Sequence, residues 1–102
     1  MTGLAAHEHR STFTSTTGGV MTEEVGAITG DLELSSRSEA AGTNVLVCYA
    51  GTDDWYTVSG GPIPARGDGA ETRDRLLEHL TTPGPVVDGN EKPVTLEGFP
   101  AA

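Results

Sequence analysis

Apolar and polar residues alternate with the two-residue period of a β-strand in the first half of the chain. Leu32 and Leu34 lie on one side of the segment TGDLELSSRS, and the acidic residues beside them lie on the other side. Two further strands are predicted over 44–50 and 55–59, joined by the turn sequence GTDD. This pattern predicts three consecutive strands, of which the last two form an antiparallel hairpin.

The period changes to 3.6 residues after the Gly- and Pro-rich stretch GGPIPARGDG, and a helix is predicted over about 69–81. Its residues Leu76, Leu77 and Leu80 fall on one side of the helix. Asp68 is a suitable N-cap, and the sequence TTPG ends the helix because proline cannot continue the hydrogen-bond ladder. The following segment PVVDGNEKPVTLEGF predicts two short strands around an Asp-Gly turn.

These elements predict an α+β fold. We expect an antiparallel sheet of three to five strands with one main helix packed on one face, in the order β-β-β-α-β(β). Residues 1–22 are small, polar and aperiodic, so we predict a flexible N-terminal segment followed by a single small domain over 23–102. The alternating threonines of RSTFTSTT leave a short additional strand open within that segment.

The apolar run VLVCYA in the second predicted strand raises the question of which side chains face the core. A turn with an even number of residues pairs Tyr49 with Tyr56 and Val47 with Val58. Together with Val45, these residues form a branched and aromatic face. We expect the helix to pack against this face.

The opposite face of the hairpin has no predicted cover, because a two-layer fold with one helix covers only one side of its sheet. This face would expose an apolar strip, which we predict to be an interaction surface. The strip consists of Leu46, Cys48, Trp55 and Thr57. Three covers for it are open: the N-terminal segment through Phe13, the Gly/Pro-rich loop through Ile63, or another chain.

The charge of the chain narrows the class of partner. Fifteen acidic and six basic residues give a formal net charge of −9, which repels the phosphates of nucleic acids and of anionic membranes. No apolar run is long enough to span a membrane, the N-terminus lacks the apolar region of a secretory signal, and one cysteine cannot form an intrachain disulfide. We therefore predict a cytoplasmic protein, and its single lysine and lack of glutamine suggest a bacterial source.

The reactive residue types do not form a recognisable catalytic or metal-binding pattern. Cys48 lies between apolar neighbours, without the positive setting that would stabilise a thiolate. His7 and His9 form an H-x-H pair but have no clear third ligand. We predict no catalytic residues, no metal site and no cofactor.

Two functional hypotheses follow. The first is a small acidic protein that acts by protein–protein interaction, as a regulator, an inhibitor or immunity-type partner, or an accessory subunit. In one version it is a homodimer that associates through the exposed sheet face. The alternative is a small enzyme or ligand-binding protein with a pocket between the sheet and the 60–69 loop. Trp55, Tyr56 and Arg66 would line that pocket.

Overall fold

The computed structural model of the chain describes residues 8–39, 42–64 and 69–99, and it confirms the predicted α+β fold. In these residues a four-stranded antiparallel sheet, two small two-stranded sheets and one helix form the secondary structure. The elements are β1 (Glu8–Thr14), β2 (Val20–Thr22), β3 (Gly26–Ile28), β4 (Asp31–Glu39), β5 (Gly42–Tyr49), β6 (Tyr56–Thr57), α1 (Gly69–Leu80), β7 (Val86–Val87) and β8 (Asn90–Glu91). Six strands, rather than three, precede the helix.

The main sheet has the strand order β1-β4-β5-β6, with each neighbouring pair antiparallel. The leucines of β4 face the core as their alternation predicts, and both Leu32 and Leu34 are fully buried. Leu34 lies opposite Val47 of β5, so the branched residues of the central pair meet on the core face.

The hairpin between β5 and β6 has a different register from the predicted one. Val47 pairs with Tyr56 rather than with Val58, a shift of two residues along the second strand. The cause is a longer connection, in which the Thr52 amide donates to the Tyr49 carbonyl at 3.0 Å and the second strand begins only at residue 56. Because the shift is even, every side chain keeps its predicted face.

Two groups of elements cover the core face of the main sheet. Helix α1 contacts β1 and β4, and it buries Leu76 and Leu80. We expected the helix to lie over the β5–β6 hairpin. That part of the face is instead next to β2, because the Ser59 amide, just after β6, donates a hydrogen bond to the Met21 carbonyl of β2 at 2.9 Å. The buried cluster consists of Val20, Ile28, Leu32, Leu34, Val45, Val47, Val58, Ile63, Leu76, Leu80, Val94 and Leu96.

Tyr49 does not occupy the core position that the hairpin pattern predicts, because 42% of its surface is exposed. It lies opposite the buried Leu32 but is the last residue of β5, directly before the exposed turn at 50–54. Tyr49 is therefore exposed because it lies at the end of its strand, although its side chain is on the core face of the sheet.

Residues 8–22, for which a flexible N-terminal segment is predicted, carry two strands in the structure. Residues 8–14 form β1, which pairs along its whole length with β4, and Val20 in β2 is fully buried. The additional strand that the threonine pattern left open is present for the first part of RSTFTSTT and ends at Thr14. It is held by the ladder with β4 and by Phe13, which packs against the buried cluster. The rest of the predicted flexible segment, residues 1–7, lies outside the described residues.

Candidate protein-interaction surface

The side of the main sheet opposite α1 is termed the open face. Strand alternation assigns its members, because successive side chains point to opposite sides of a sheet. They are Glu8, Arg10, Thr12 and Thr14 of β1, Asp31, Glu33, Ser35 and Arg37 of β4, Asn44, Leu46 and Cys48 of β5, Thr57 of β6, and the preceding Trp55. The predicted strip of Leu46, Cys48, Trp55 and Thr57 therefore lies together on this face.

Trp55 is the central aromatic side chain of the open face. The guanidinium carbon of Arg10 lies 5.3 Å from the centroid of the Trp55 ring, in cation–π contact. Arg10 belongs to β1 and Trp55 precedes β6, so the two side chains meet above the two central strands of the sheet. Trp55 is partly buried, which means that its own chain holds one part of the indole and leaves the other part accessible.

Cys48 is not part of the exposed strip, which corrects its predicted place. The side chain is fully buried, and its thiol lies 3.5 Å from the carbonyl oxygen of Thr52 and 3.9 Å from a carboxylate oxygen of Glu33. Burial raises the pKa of the Cys48 thiol, and the nearby Glu33 carboxylate acts in the same direction. A buried thiol with a raised pKa is a poor nucleophile, in agreement with the sequence-based interpretation.

One end of the open face carries a network in which two arginines and a serine meet the carboxylate of Glu8. Its Oε2 atom accepts hydrogen bonds from Ser35 Oγ at 2.8 Å and from Arg10 Nε at 3.0 Å, and it lies 3.5 Å from Arg37 Nε. The hydrogen bond from the buried Ser35 lowers the pKa of Glu8 most, and Arg10 lowers it further. The network also holds the Arg10 side chain that contacts Trp55.

Glu8→Gln is expected to destabilise the protein by about 1 kcal/mol at pH 7, because it removes the charge that Ser35 and the arginines stabilise. The lowered pKa makes this contribution fully present above the ordinary glutamate pKa of about 4.3, and it is lost as the pH falls through the folded-state value. Urea unfolding at pH 7 and pH 3 measures the difference. The exposed Glu23→Gln is the control, and an equal loss at both pH values would contradict the network.

Carboxylates also belong to the open face and to the segments that adjoin it. Glu24 accepts hydrogen bonds from the amide and the hydroxyl of Thr57 at 2.8 and 2.9 Å, and these bonds lower its pKa. Asp31 accepts a hydrogen bond from Thr14 at 2.9 Å. The acidic rim is the set of Glu24, Asp31, Glu33, Asp53 and Asp54: two lie on the open face, one bonds to Thr57, and two directly precede Trp55 in the chain. The open face thus presents a partly buried aromatic ring together with several carboxylates.

The alternative pocket of Trp55, Tyr56 and Arg66 is not assembled by the described residues. Tyr56 packs against the buried cluster, whereas Trp55 contacts Arg10 on the open face, so the two rings lie on opposite sides of the sheet. Arg66 lies outside the described residues. In the described part of the 60–69 loop, Ile63 is buried and forms a β-bridge to Thr43.

A cavity of about 190 Å³ lies at the C-terminal end of α1, away from the open face. Its wall includes His79, whose Nε2 atom donates to the Thr95 carbonyl at 2.7 Å and whose ring meets Phe99 edge-on at 5.3 Å. The sequence analysis did not predict this cavity, because its wall combines the end of the helix with residues 82–85 and 93–97. These contacts give His79 a structural role.

Metal-site and membrane criteria are not met by the described parts of the chain. No group of three or more His, Cys, Asp or Glu residues there could hold a metal ion, and no helix there is long and apolar enough to cross a membrane. His7 of the H-x-H pair lies outside the described residues, and the ring of His9 lies against Gly69 at the start of α1.

Comparisons of the chain with protein-family models, curated proteins and solved structures find no match. A function therefore has to rest on the chemistry of the chain's own surface. The residues that sequence analysis missed there are Arg10, Glu24 and the Glu8 network. The sequence EHR could have indicated that Glu8 and Arg10 are neighbours, because residues two apart on a strand share a face. This inference requires that residues 8–14 are already known to form a strand.

Proposed function

We propose that this chain acts by protein–protein contact and that the open face around Trp55 binds a basic segment of a partner protein. The observation that carries the proposal is the partly buried indole, held by Arg10 on the face that also carries carboxylates of the acidic rim. Such a partner fits the predicted classes of regulator, inhibitor or immunity-type protein, and accessory subunit.

The negative charge of the chain favours a basic partner protein on the open face rather than a second copy of the same chain. The chain carries a net charge of −9, and the five carboxylates of the acidic rim lie on this face or on the segments that adjoin it. Stacking two copies face to face would bring two acidic rims together, and like charges across an interface cost affinity. Lysine or arginine side chains of a different protein would complement the rim and would be steered towards it over a Debye length of about 10 Å.

The fixed position of the Trp55 side chain supports its role as the residue that contributes most to partner binding. Tryptophan is among the residues most enriched at the energetic centres of interfaces, where it fills a pocket with little conformational entropy. The cation–π contact with Arg10, itself bonded to Glu8, orders the indole before binding. Preorganisation of this kind lowers the entropy cost of association.

Trp55→Ser is expected to reduce partner binding at least about 10-fold, because truncation of a central aromatic anchor typically costs 2 kcal/mol or more. The measurement is capture from the native cell extract with quantitative mass spectrometry, followed by calorimetry with the purified partner. Binding is expected to weaken as salt rises from 0.05 to 0.5 M, because the rim attracts the partner electrostatically.

The matched control is Tyr49→Ser, which removes a more exposed aromatic ring from the opposite face of the same sheet. It should capture the same proteins as the wild type, and circular dichroism should show that both variants fold. Capture of an unchanged set of proteins by Trp55→Ser would contradict the proposal. So would a purified partner whose affinity is insensitive to salt.

The ligand-pocket hypothesis gains less support from the structure. It places Trp55 and Tyr56 in one pocket, but these residues lie on opposite faces.

A further inference from the structure

Among the described residues, strand β1 is at one end of the four-strand order and pairs with β4 on one side only. Its register with β4 runs without interruption from Glu8 opposite Arg37 to Thr14 opposite Asp31. The sequence EHRSTFT contains no glycine, proline or lysine, and no bulge interrupts the ladder. These are among the devices by which edge strands avoid pairing with another chain. Charged side chains are another such device, but the two on β1, Glu8 and Arg10, form an ion pair with each other.

The phase of the hydrogen bonds shows which residues of β1 face outward. The Ser15 amide donates to the Gly30 carbonyl at 2.9 Å, and the Ala50 amide donates to the Asp31 carbonyl at 3.0 Å. Even-numbered residues of β4 therefore bond to β1, and odd-numbered ones bond to β5. By the same alternation, the odd-numbered residues of β1 bond inward and the even-numbered ones present their amides and carbonyls at the edge. No backbone bond from those groups to another described residue is present.

We propose that β1 pairs antiparallel with β1 of a second copy of this chain, joining two four-stranded sheets into one eight-stranded sheet. An antiparallel pair bonds through residues whose backbone groups face each other, so even-numbered residues must meet even-numbered ones. The register with its two-fold axis at Ser11 satisfies this condition over all seven residues. It places Arg10 opposite Thr12 of the second copy, and Glu8 opposite Thr14. The edge is therefore self-complementary over its whole length.

The side chains are compatible with this register. On the open face, neither charged residue meets a like charge directly across the pair, and Arg10 and Glu8 already neutralise each other within one copy. On the other face, His9 comes opposite Phe13 of the second copy, and pairing would cover the accessible part of Phe13. The two open faces would form one continuous surface with two Trp55 sites.

The edge also suits a second copy better than a face-to-face contact does. Edge pairing keeps the two acidic rims side by side rather than stacked, so the remaining repulsion acts over a longer distance. Screening of that repulsion should strengthen the dimer as salt increases. Binding of a basic partner to the open face has the opposite salt dependence, so failure of one proposal is distinguishable from failure of the other.

Cross-linking tests both the pairing and its register. In the proposed register the two copies of Ser11 face each other as a non-hydrogen-bonded pair, with Cα atoms about 4.5 Å apart, within the range of a disulfide. Ser11→Cys in the full chain is expected to form a disulfide-linked dimer under mild oxidation. The matched Thr12→Cys is not expected to form this disulfide. Its two copies are offset by two residues along the strands, so their Cα atoms lie farther apart than the limit of about 7 Å for a disulfide. Cys48 is buried and should not compete.

Sedimentation velocity with edge variants supplies an independent measurement. Thr12→Pro removes an outward amide but keeps the β1–β4 ladder, and it is expected to be monomeric at concentrations where the wild type and Thr12→Ala are dimeric. Its thermal unfolding should confirm that the fold is retained. A wild type that is monomeric up to about 1 mM in 0.5 M salt would overturn the proposal. Disulfide formation by Thr12→Cys instead of Ser11→Cys would also overturn the proposal. The same holds if β1 pairs with an added foreign peptide but not with a second copy of the chain.

Discussion

Leu34→Ala is expected to lower the free energy of unfolding by about 2–5 kcal/mol. Leu34 is fully buried on β4, lies opposite Val47, and belongs to the same cluster as Leu76 of the helix. Truncation removes apolar surface from the core and leaves a cavity between elements that pack from several sides, so the site cannot collapse easily. A domain of this size has a total stability of about 5–15 kcal/mol, so the loss would be a large part of it.

Urea unfolding followed by circular dichroism measures this effect, with the slope against urea concentration expected to stay unchanged. Ser38→Ala is the matched control, because Ser38 lies on the same strand but is exposed. Its effect should stay within about 0.5 kcal/mol. A loss below about 1 kcal/mol for Leu34→Ala would show that β4 is not the centre of the core.

Gly60→Ala is expected to cost at least about 2 kcal/mol, for two separate reasons. The backbone of Gly60 has a φ of +98°, which side chains of L-residues rarely adopt. An added Cβ would also lie 2.8 Å from the amide nitrogen of Glu97 and 3.0 Å from that of Leu96. The segment that would have to move is held by the hydrogen bond from Leu96 to Ser59 at 2.8 Å, which connects the C-terminal part of the chain to the residues after β6.

Gly51→Ala separates the two causes. Gly51 has a similar φ of +89°, but nothing lies within 4 Å of the position of an added Cβ. Its substitution should cost only the about 1–2 kcal/mol of the left-handed conformation. The two variants are compared by thermal and urea unfolding. An equal loss in both would show that the close approach to residues 96–97 has no energetic consequence.

The helix could be predicted almost completely from the sequence. It was expected over 69–81 and extends over Gly69–Leu80, with the predicted Leu76 and Leu80 buried. Periodicity and the Pro-Gly stop are local signals, and they act within a few residues of the backbone that they shape. The strand to which the helix packs depends on contacts distant in sequence, and this was not predictable from the pattern.

The faces of the β5–β6 hairpin were also predictable, although its register was not. Alternation places Trp55 and Leu46 on one side and Val47 and Tyr56 on the other, whatever even number of residues the turn contains. The turn that starts at Tyr49 decided the two-residue shift. Sequence alone therefore located the surface that we propose to bind a partner.

Three properties of that surface depended on the tertiary structure. Cys48 is buried because the connection between β5 and β6 brings the carbonyl of Thr52 onto its thiol. Arg10 reaches Trp55 because β1, from the segment predicted to be flexible, pairs with β4. Glu24 joins the acidic rim because the β2–β3 turn lies beside Thr57.

The amino-acid pattern by itself determined the fold class, the helix and which hairpin side chains share a face, because each follows from the local period of the backbone. Only the tertiary structure decided that β1 completes the sheet as an edge strand, that Arg10 reaches Trp55, and that Glu24 bonds to Thr57. These features join residues 17 to 45 positions apart, and local periodicity carries no information about which distant strands will pair.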